Sequence, residues 1–535
     1  MANDSHQEET TLVRLWPYVP VGVAALVFAA LTAAFWDYTV DDAFISFRYA
    51  RNLAQGYGLT YNAGGPPIEG YTGLLWVLLM AVPARLGLDV EVFAKVVGVL
   101  ATLACMAVTF RLSLRLIGPG ERGQTTFAAG MAILLLAAQA ETAIHTVAGL
   151  ETALYSLLLT AFLYQCLCSA EEQTNRCLGA LAFTGLLLGL TRPEGNLPVL
   201  VGLLTLLPML QGRRRSALVW SALLLYVLPG LAYFLWRFHY YGQLLPLPFY
   251  LKAANQQTLA GLRGVVGFLA TYGTSALGVL MCVAAIRFKR THAPGLLASL
   301  SLLVFFLFPA HIMGYCFRFL YPLVPAICAL GGAGLALLLT LPLSSQKEGR
   351  PWARHLPAIA LCLLLAVSQV PRLPGAYTTQ VRYYAAGLQR AHIALGKCLA
   401  EFKPAGRQPV LAIGDAGAVP YYSGWRTIDI FGLNEPHIAL SREHDPEYVL
   451  SQHPDVLVLI SSSATVFVPH LDREADLYHA SLARGMRPLR AMEFDPHRYY
   501  LWVLAFPGSD VWEHLKGATC GMPLTPGETP GGPAS

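Results

Sequence analysis

Two adjacent carboxylates, Asp41 and Asp42, stand where a long apolar run ends, in the stretch Asp41-Asp42-Ala43-Phe44-Ile45-Ser46-Phe47-Arg48-Tyr49-Ala50-Arg51-Asn52. More polar residues follow at Tyr61-Asn62 and at Glu69-Gly70-Tyr71-Thr72. Charge beside hydrocarbon is costly unless it is paired, ligated or used, so an acidic pair at the mouth of a membrane helix marks a candidate site. An ionised carboxylate there can act as general base on a hydroxyl while cations stabilise a departing phosphate. That division of labour suits the displacement of a sugar from a lipid phosphate. A solvated loop with an interfacial helix would account for the same residues without any chemistry.

The elements that must position these residues are membrane helices. The chain of 535 residues is 55% hydrophobic and 13% charged, with mean hydropathy +0.49, against roughly 25% charge in a soluble domain. Its formal charge of +5 is spread over short loops, which reports topology and argues against a nucleic-acid surface. About twelve apolar runs follow one another from Leu12–Phe35 to Leu356–Val370. If all crossed, the basic loops at 111–122, 176, 213–215, 287–290 and 347–354 would fall on both sides. If Leu74–Leu86, short and broken by Pro83, lies at the interface or re-enters, every basic loop shares the cytoplasmic side. The chain is therefore expected to be a polytopic α-helical membrane protein of about eleven spans plus that interfacial or re-entrant segment.

Asp41 and Asp42 then share the extracytoplasmic side with loops carrying Glu151, Arg192, Glu194, Lys252, His311, Arg318 and Tyr321. The expectation is one composite site: Arg192, Lys252 and Arg318 over a lipid phosphate, with Arg48, Asn62, Glu69, Tyr71, Glu151, Glu194, His311 and Tyr321 around the substrate. Local alternatives exist, since Arg192 and Glu194 could pair across a tight turn and Lys252 could snorkel to lipid headgroups. From about Pro371 the chain reads as a small extracytoplasmic α/β domain, with a helix over 381–402 and strands over 409–413, 427–431, 456–460 and 500–505. Asp415 in Gly414-Asp415-Ala416-Gly417, and Asp429 and Asn434 in the next turn, are weaker candidates there; turn glycines and helix caps explain them as well. The resulting layout is a cytoplasmic tail at 1–11, a transmembrane domain at 12–370 with loops at 36–90 and 238–273, the α/β domain at 371–516, and a disordered tail at 517–535. Cys398 and Cys520 are the cysteines of the polar part and could form a disulfide outside the cytoplasm.

The combination of the Asp41–Leu53 stretch, Gly56-x-Gly58-Leu59-x-Tyr61-Asn62, Glu69-Gly70-Tyr71-Thr72 and Trp76 resembles the GT-C integral-membrane glycosyltransferases. More closely it is similar to the bacterial group related to the mycobacterial terminal arabinofuranosyltransferase. Gly149-Leu150-Glu151-Thr152, Thr191-Arg192-Pro193-Glu194-Gly195, Arg318-Phe319-x-Tyr321-Pro322 and Gly414-Asp415-Ala416-Gly417 support the likeness to about Asn434. The Gly-Pro-rich Ala63–Pro67 segment departs from it and leaves acceptor and sugar open. The resemblance implies an inverting transfer from a polyprenyl-phosphate sugar, a pentofuranose such as arabinofuranose in that group, to a glycan, lipid or protein of the cell envelope. It implies a site outside the bacterial plasma membrane, with Asp41 or Asp42 as base. No cofactor follows from it; Asp41, Asp42 and Glu151 could offer hard-oxygen ligands to a divalent cation such as Mg, Mn or Ca. A flippase of lipid-linked glycan or a non-catalytic scaffold are the other classes, but transporters place charge at the bilayer midplane and show paired repeats, and none is visible here.

Overall fold

The computed structural model describes residues 15–254, 258–273, 276–309, 314–340, 372–404, 406–441, 445–495 and 498–524. The chain divides into two compact units, one of residues 1–36, 94–236 and 256–376, the other of 37–93, 237–255 and 377–535.

The first unit is helical. Among the described residues the chain has five helices long and apolar enough to cross a membrane, Trp16–Ala34, Val90–Ile117, Thr152–Glu171, Gly212–Tyr241 and Tyr321–Thr340. Two bent pairs, Arg122–Ala137 with Ala140–Val147 and Leu259–Gly273 with Leu277–Ala285, bring the number to seven if each pair is one span. Small residues let helices close up: a Cβ at Gly332 or Gly334 would meet neighbouring backbone, as in other close-packed membrane helices. The expected interfacial segment is a helix, Leu74–Arg85, of 12 residues, about 18 Å long against a hydrocarbon layer of about 30 Å. The expected last span, Leu356–Val370, lies outside the described residues.

The second unit joins the first loop to the C-terminal α/β domain. Its sheet runs β2-β1-β3-β5-β4-β6, where β1 is Val410–Ile413, β2 Arg426–Asp429, β3 Val456–Ser461, β4 Arg487–Asp495, β5 Tyr499–Ala505 and β6 Met522–Pro523. β1 pairs parallel with β2 and β3, and the remaining pairs are antiparallel. β1 and β3 are buried along their whole length, so they are continuous apolar runs without alternation. One face packs against the helical stretch 372–401 through Leu395, Leu399 and Trp425, and the other against Ile438, Val449 and Leu477. Residues 518–524, expected to belong to a disordered tail, are ordered. β6 pairs with β4, Cys520 is disulfide-bonded to Cys398 with Cα atoms 6.6 Å apart, and Arg490 donates to the carbonyls of Leu515, Lys516, Ala518, Cys520 and Gly521.

Candidate active site

The helix Asp41–Ala54 follows extended Val40 and carries both acids in its first turn and Arg51 in its last, the charge order a helix dipole favours. Asp41 is buried. Its Oδ1 accepts the Ala418 N–H at 2.8 Å, its Oδ2 the Gly417 N–H at 3.1 Å, and its own N–H donates to the Tyr384 hydroxyl at 3.0 Å. Position 417 has to be glycine, because a Cβ there would run into the Asp41 carbonyl and carboxylate. Asp42 is half-buried, the more exposed of the two acids.

The loop that holds Asp41 also carries Asp415. The Asp415 Oδ2 lies 2.7 Å from His392 Nε2 and accepts the Tyr499 hydroxyl at 2.5 Å. His392 is buried and its Nδ1 has no hydrogen-bond partner among the described residues. Burial, reinforced by the Asp415 charge, pushes the Asp41 carboxyl up to about 7, while the His392 charge and the Ala418 amide pull it down. Burial opposes charge on Asp415 and His392 as well, but the hydrogen bond and charge each offers the other outweigh it. Asp415 is held below the usual carboxylate range and His392 above the usual imidazole range, which favours the ion pair.

Several residues expected around the substrate instead hold this unit together. Arg48 is buried and donates to the carbonyls of Tyr61 at 2.6 Å, Trp425 at 2.7 Å and Pro420, and to Asn62 Oδ1 at 2.9 Å. Asn62 bridges to the Thr427 backbone in both directions at 2.9 Å. Glu69 is buried against Arg237, with Nε at 2.8 and 3.0 Å from its two oxygens. Tyr71 meets the Tyr241 hydroxyl at 3.0 Å. Asp429 accepts the N–H groups of Phe431, Gly432 and Asn434, and Asn434 accepts the Tyr49 hydroxyl at 3.1 Å. Each of these polar groups bonds within its own fold.

The helical unit holds a second charged cluster. Glu151 Oε1 lies 3.1 Å from Arg192 and 3.3 Å from Arg318, and Arg192 Nε lies 2.6 Å from Glu194. The Arg192 guanidinium also sits 5.1 Å from the Phe319 ring centroid and 5.6 Å from that of Tyr155. Tyr321 donates to Thr142 at 3.0 Å. Cys316 and Phe317, just before Arg318, adopt positive φ of 48° and 54°, a conformation that costs energy and gathers at functional sites. The hydroxyls of Thr152 and Tyr155 and the Nδ1 of His145 are buried without partners among the described residues. The structure thus brings Glu151, Arg192, Glu194 and Arg318 together. Lys252 falls on the helix Leu247–Ala254 with its side chain outside the described part, and His311 lies outside the described residues.

Among the described residues no three His, Cys, Asp or Glu side chains form a metal-binding group; Asp41 is committed to two amides and Glu151 to two guanidinium groups. Reading the sequence missed Tyr384, His392 and Tyr499. The one available signal was a histidine inside the apolar face Ala391-His392-Ile393, where an ionisable side chain needs a partner.

The chain has a GT-C-like fold, polytopic and α-helical, with a small C-terminal sheet domain. In particular, ArnT from Cupriavidus metallidurans bound to undecaprenyl phosphate matches with TM-score 0.59 and 14% identity over 91% of this chain and 98% of that one. The Archaeoglobus fulgidus oligosaccharyltransferase in its apo form matches with TM-score 0.51 and 11% identity, covering 82% and 69% of the two chains. AglB from Archaeoglobus fulgidus, in complex with an inhibitory peptide and dolichol-phosphate, matches with TM-score 0.50 and 13% identity over 92% and 74%. Residues 377–505 match a family model described as a domain of unknown function, DUF8728. No curated protein matches the chain at a significant level.

Proposed function

We propose that the chain is an integral-membrane glycosyltransferase that moves a sugar from a polyprenyl-phosphate carrier to a cell-envelope acceptor, at the extracytoplasmic face of a bacterial plasma membrane. The fold it shares with a structure holding undecaprenyl phosphate supports the donor class. The observation that carries the reading is the Asp41–Asp42 pair at a helix start, set in a buried centre whose third acid, Asp415, is paired with a histidine. Asp41 spends both oxygens on amides, so Asp42 is the general base. It takes the proton of the acceptor hydroxyl as the acceptor oxygen bonds to the anomeric carbon. The bond from that carbon to phosphate breaks, and polyprenyl phosphate leaves with the electron pair. Attack from the face opposite the phosphate inverts the anomeric configuration. Arg192 and Arg318, fixed in direction by Glu151, are the groups suited to the phosphate charge. A pentofuranose such as arabinofuranose is the sugar class suggested by the motif Asp41–Leu53 with Gly56–Asn62.

The test is transfer by the purified full-length chain in nanodiscs, given synthetic polyprenyl-phosphate pentofuranose or hexose donors and an envelope glycan extract, read as release of polyprenyl phosphate. Asp42→Asn is expected to lower the rate by about 100-fold or more, in the range a positioned general base supplies. Full transfer by a well-folded Asp42→Asn chain would remove the base, and no release from any donor would remove the reading. Analysis of lipid-linked intermediates in a deletion strain then names the sugar through whichever precursor accumulates.

A further inference from the structure

The C-terminal domain matched as a family of unknown function contributes the three hydrogen-bond partners of Asp41 described above. Gly417 and Ala418 grip the Asp41 carboxylate. In the same loop Asp415 points to His392 on the helical stretch and to Tyr499 at the start of β5. Tyr384, from the helical stretch, accepts the Asp41 N–H. Asp41 and Asp415 thus belong to one tight loop-and-helix joint, with the His392 imidazole hydrogen-bonded inside it.

We propose that His392, anchored by Asp415, is a positioning residue that balances the charge of Asp41 and so favours the ionised form of the Asp41–Asp42 pair for proton abstraction; this rests on the glycosyltransferase reading. Charge balance is the physical reason. Asp41, Asp42 and Asp415 bring three carboxylates to one place, and burial alone would keep at least one protonated. The groups facing His392 are Asp415 from the loop after β1, Asp41 from the first-loop helix and Tyr499 from β5, with the Phe494 ring of β4 edge-on at 5.2 Å. Facing Asp41 are Asp42, Asp415, His392, Tyr384 and Tyr61. Facing Asp415, besides these, are His470 and Glu474. Among the described residues, His392 is the cationic group that hydrogen-bonds Asp415 while lying within electrostatic reach of Asp41.

Without His392 the acidic pair gains a proton at higher pH. In His392→Gln the acid limb of the pH–rate profile for polyprenyl phosphate release is expected to move up by about one unit, a roughly 10-fold loss at pH 6.5 that shrinks as pH rises. Asp415→Asn is expected to remove the histidine's anchor and lower the rate as well. A loss of equal size at every pH, or an unmoved profile, would overturn the proposal. A readout independent of transfer is ring-carbon NMR of histidine-labelled chain in nanodiscs, with the His392 signal assigned by its disappearance in His392→Gln. It is expected to stay protonated above the range of the exposed histidines and to move down in Asp41→Asn. A His392 signal that titrates with the exposed histidines, or ignores Asp41→Asn, sinks the proposal. A wild-type chain that shows this titration yet transfers no sugar overturns the glycosyltransferase reading and supports the charge balance.

Discussion

Replacing Arg48 by methionine tests whether the first-loop arginine is a clamp or a substrate ligand. The side chain is 2% exposed, and burial draws its guanidinium pKa down to about 10, so it remains charged at neutral pH. It donates to three backbone carbonyls, of Tyr61, Pro420 and Trp425, and to the Asn62 amide oxygen. Each hydrogen bond from a charged donor contributes about 1.5–3 kcal/mol, and each buried acceptor left unpaired costs about 1–3 kcal/mol. Removing the guanidinium also removes the cost of burying it, so the net loss in Arg48→Met is expected near 3–5 kcal/mol. In a unit of about 150–250 residues that corresponds to roughly 6–20 °C in Tm. Arg48→Lys keeps the charge but not the planar fork, so it should recover only part of the loss. The assay is thermal unfolding of detergent-solubilised chain, together with donor KM in whatever fraction folds. A folded Arg48→Met chain with wild-type Tm and a raised donor KM would refute the clamp and return Arg48 to the substrate.

Other outcomes follow from the same geometry. Gly417→Ala should displace the Asp41 carboxylate, lowering the Tm and the transfer rate together; overpacking of this kind costs about 1–3 kcal/mol. Glu151→Gln leaves Arg192 and Arg318 without their shared carboxylate, and breaking a buried pair costs about 3–5 kcal/mol, so poor yield in nanodiscs and a low Tm are expected. Reducing the Cys398–Cys520 bond, which closes a separation of 122 residues, should lower unfolding stability by about 2–4 kcal/mol, and a Cys398→Ala, Cys520→Ala chain should be insensitive to reductant. Burial pushes Asp41 and Glu474 up to about 7 and Asp429 to about 6. The folded chain therefore keeps protons that the unfolded chain releases from about pH 4 upward, and stability should fall as pH rises from about 4 to about 7. His392, also raised, acts in the same direction. A Tm that climbs between pH 5 and 7 would contradict those shifts.

Much of this architecture was legible in the residues because it depends on local pattern. The apolar runs, the short Leu74–Arg85 helix and the strands β1, β2, β3 and β5 follow from hydrophobic periodicity and length. β4 escaped because Arg487-Pro488-Leu489-Arg490-Ala491-Met492-Glu493-Phe494-Asp495 carries a proline and four charges, and its burial comes from neighbours on both sides. In the candidate site the acidic pair was visible because charge beside an apolar run is unusual. The bonds that Arg48, Asn62 and Glu69 make within the fold were not, since a polar side chain that satisfies buried carbonyls and one that awaits a substrate look alike in sequence. His392 and Tyr499 were hidden by distance: their partners lie in another segment, and only the sheet brings Asp415 beside them.

The grip of residues 416–427 on the first loop has a consequence for how such proteins can be recombined. Asp41, Arg48, Arg51, Tyr61 and Asn62 all bond to backbone between Ala416 and Thr427. The two segments lie far apart in the sequence, yet they belong to one compact unit, so a chimera that takes its C-terminal domain from a relative and keeps this first loop would present mismatched halves of a single joint. Exchange between relatives must carry 37–93 and 377–524 together, and inherited variation in the two stretches should change in step.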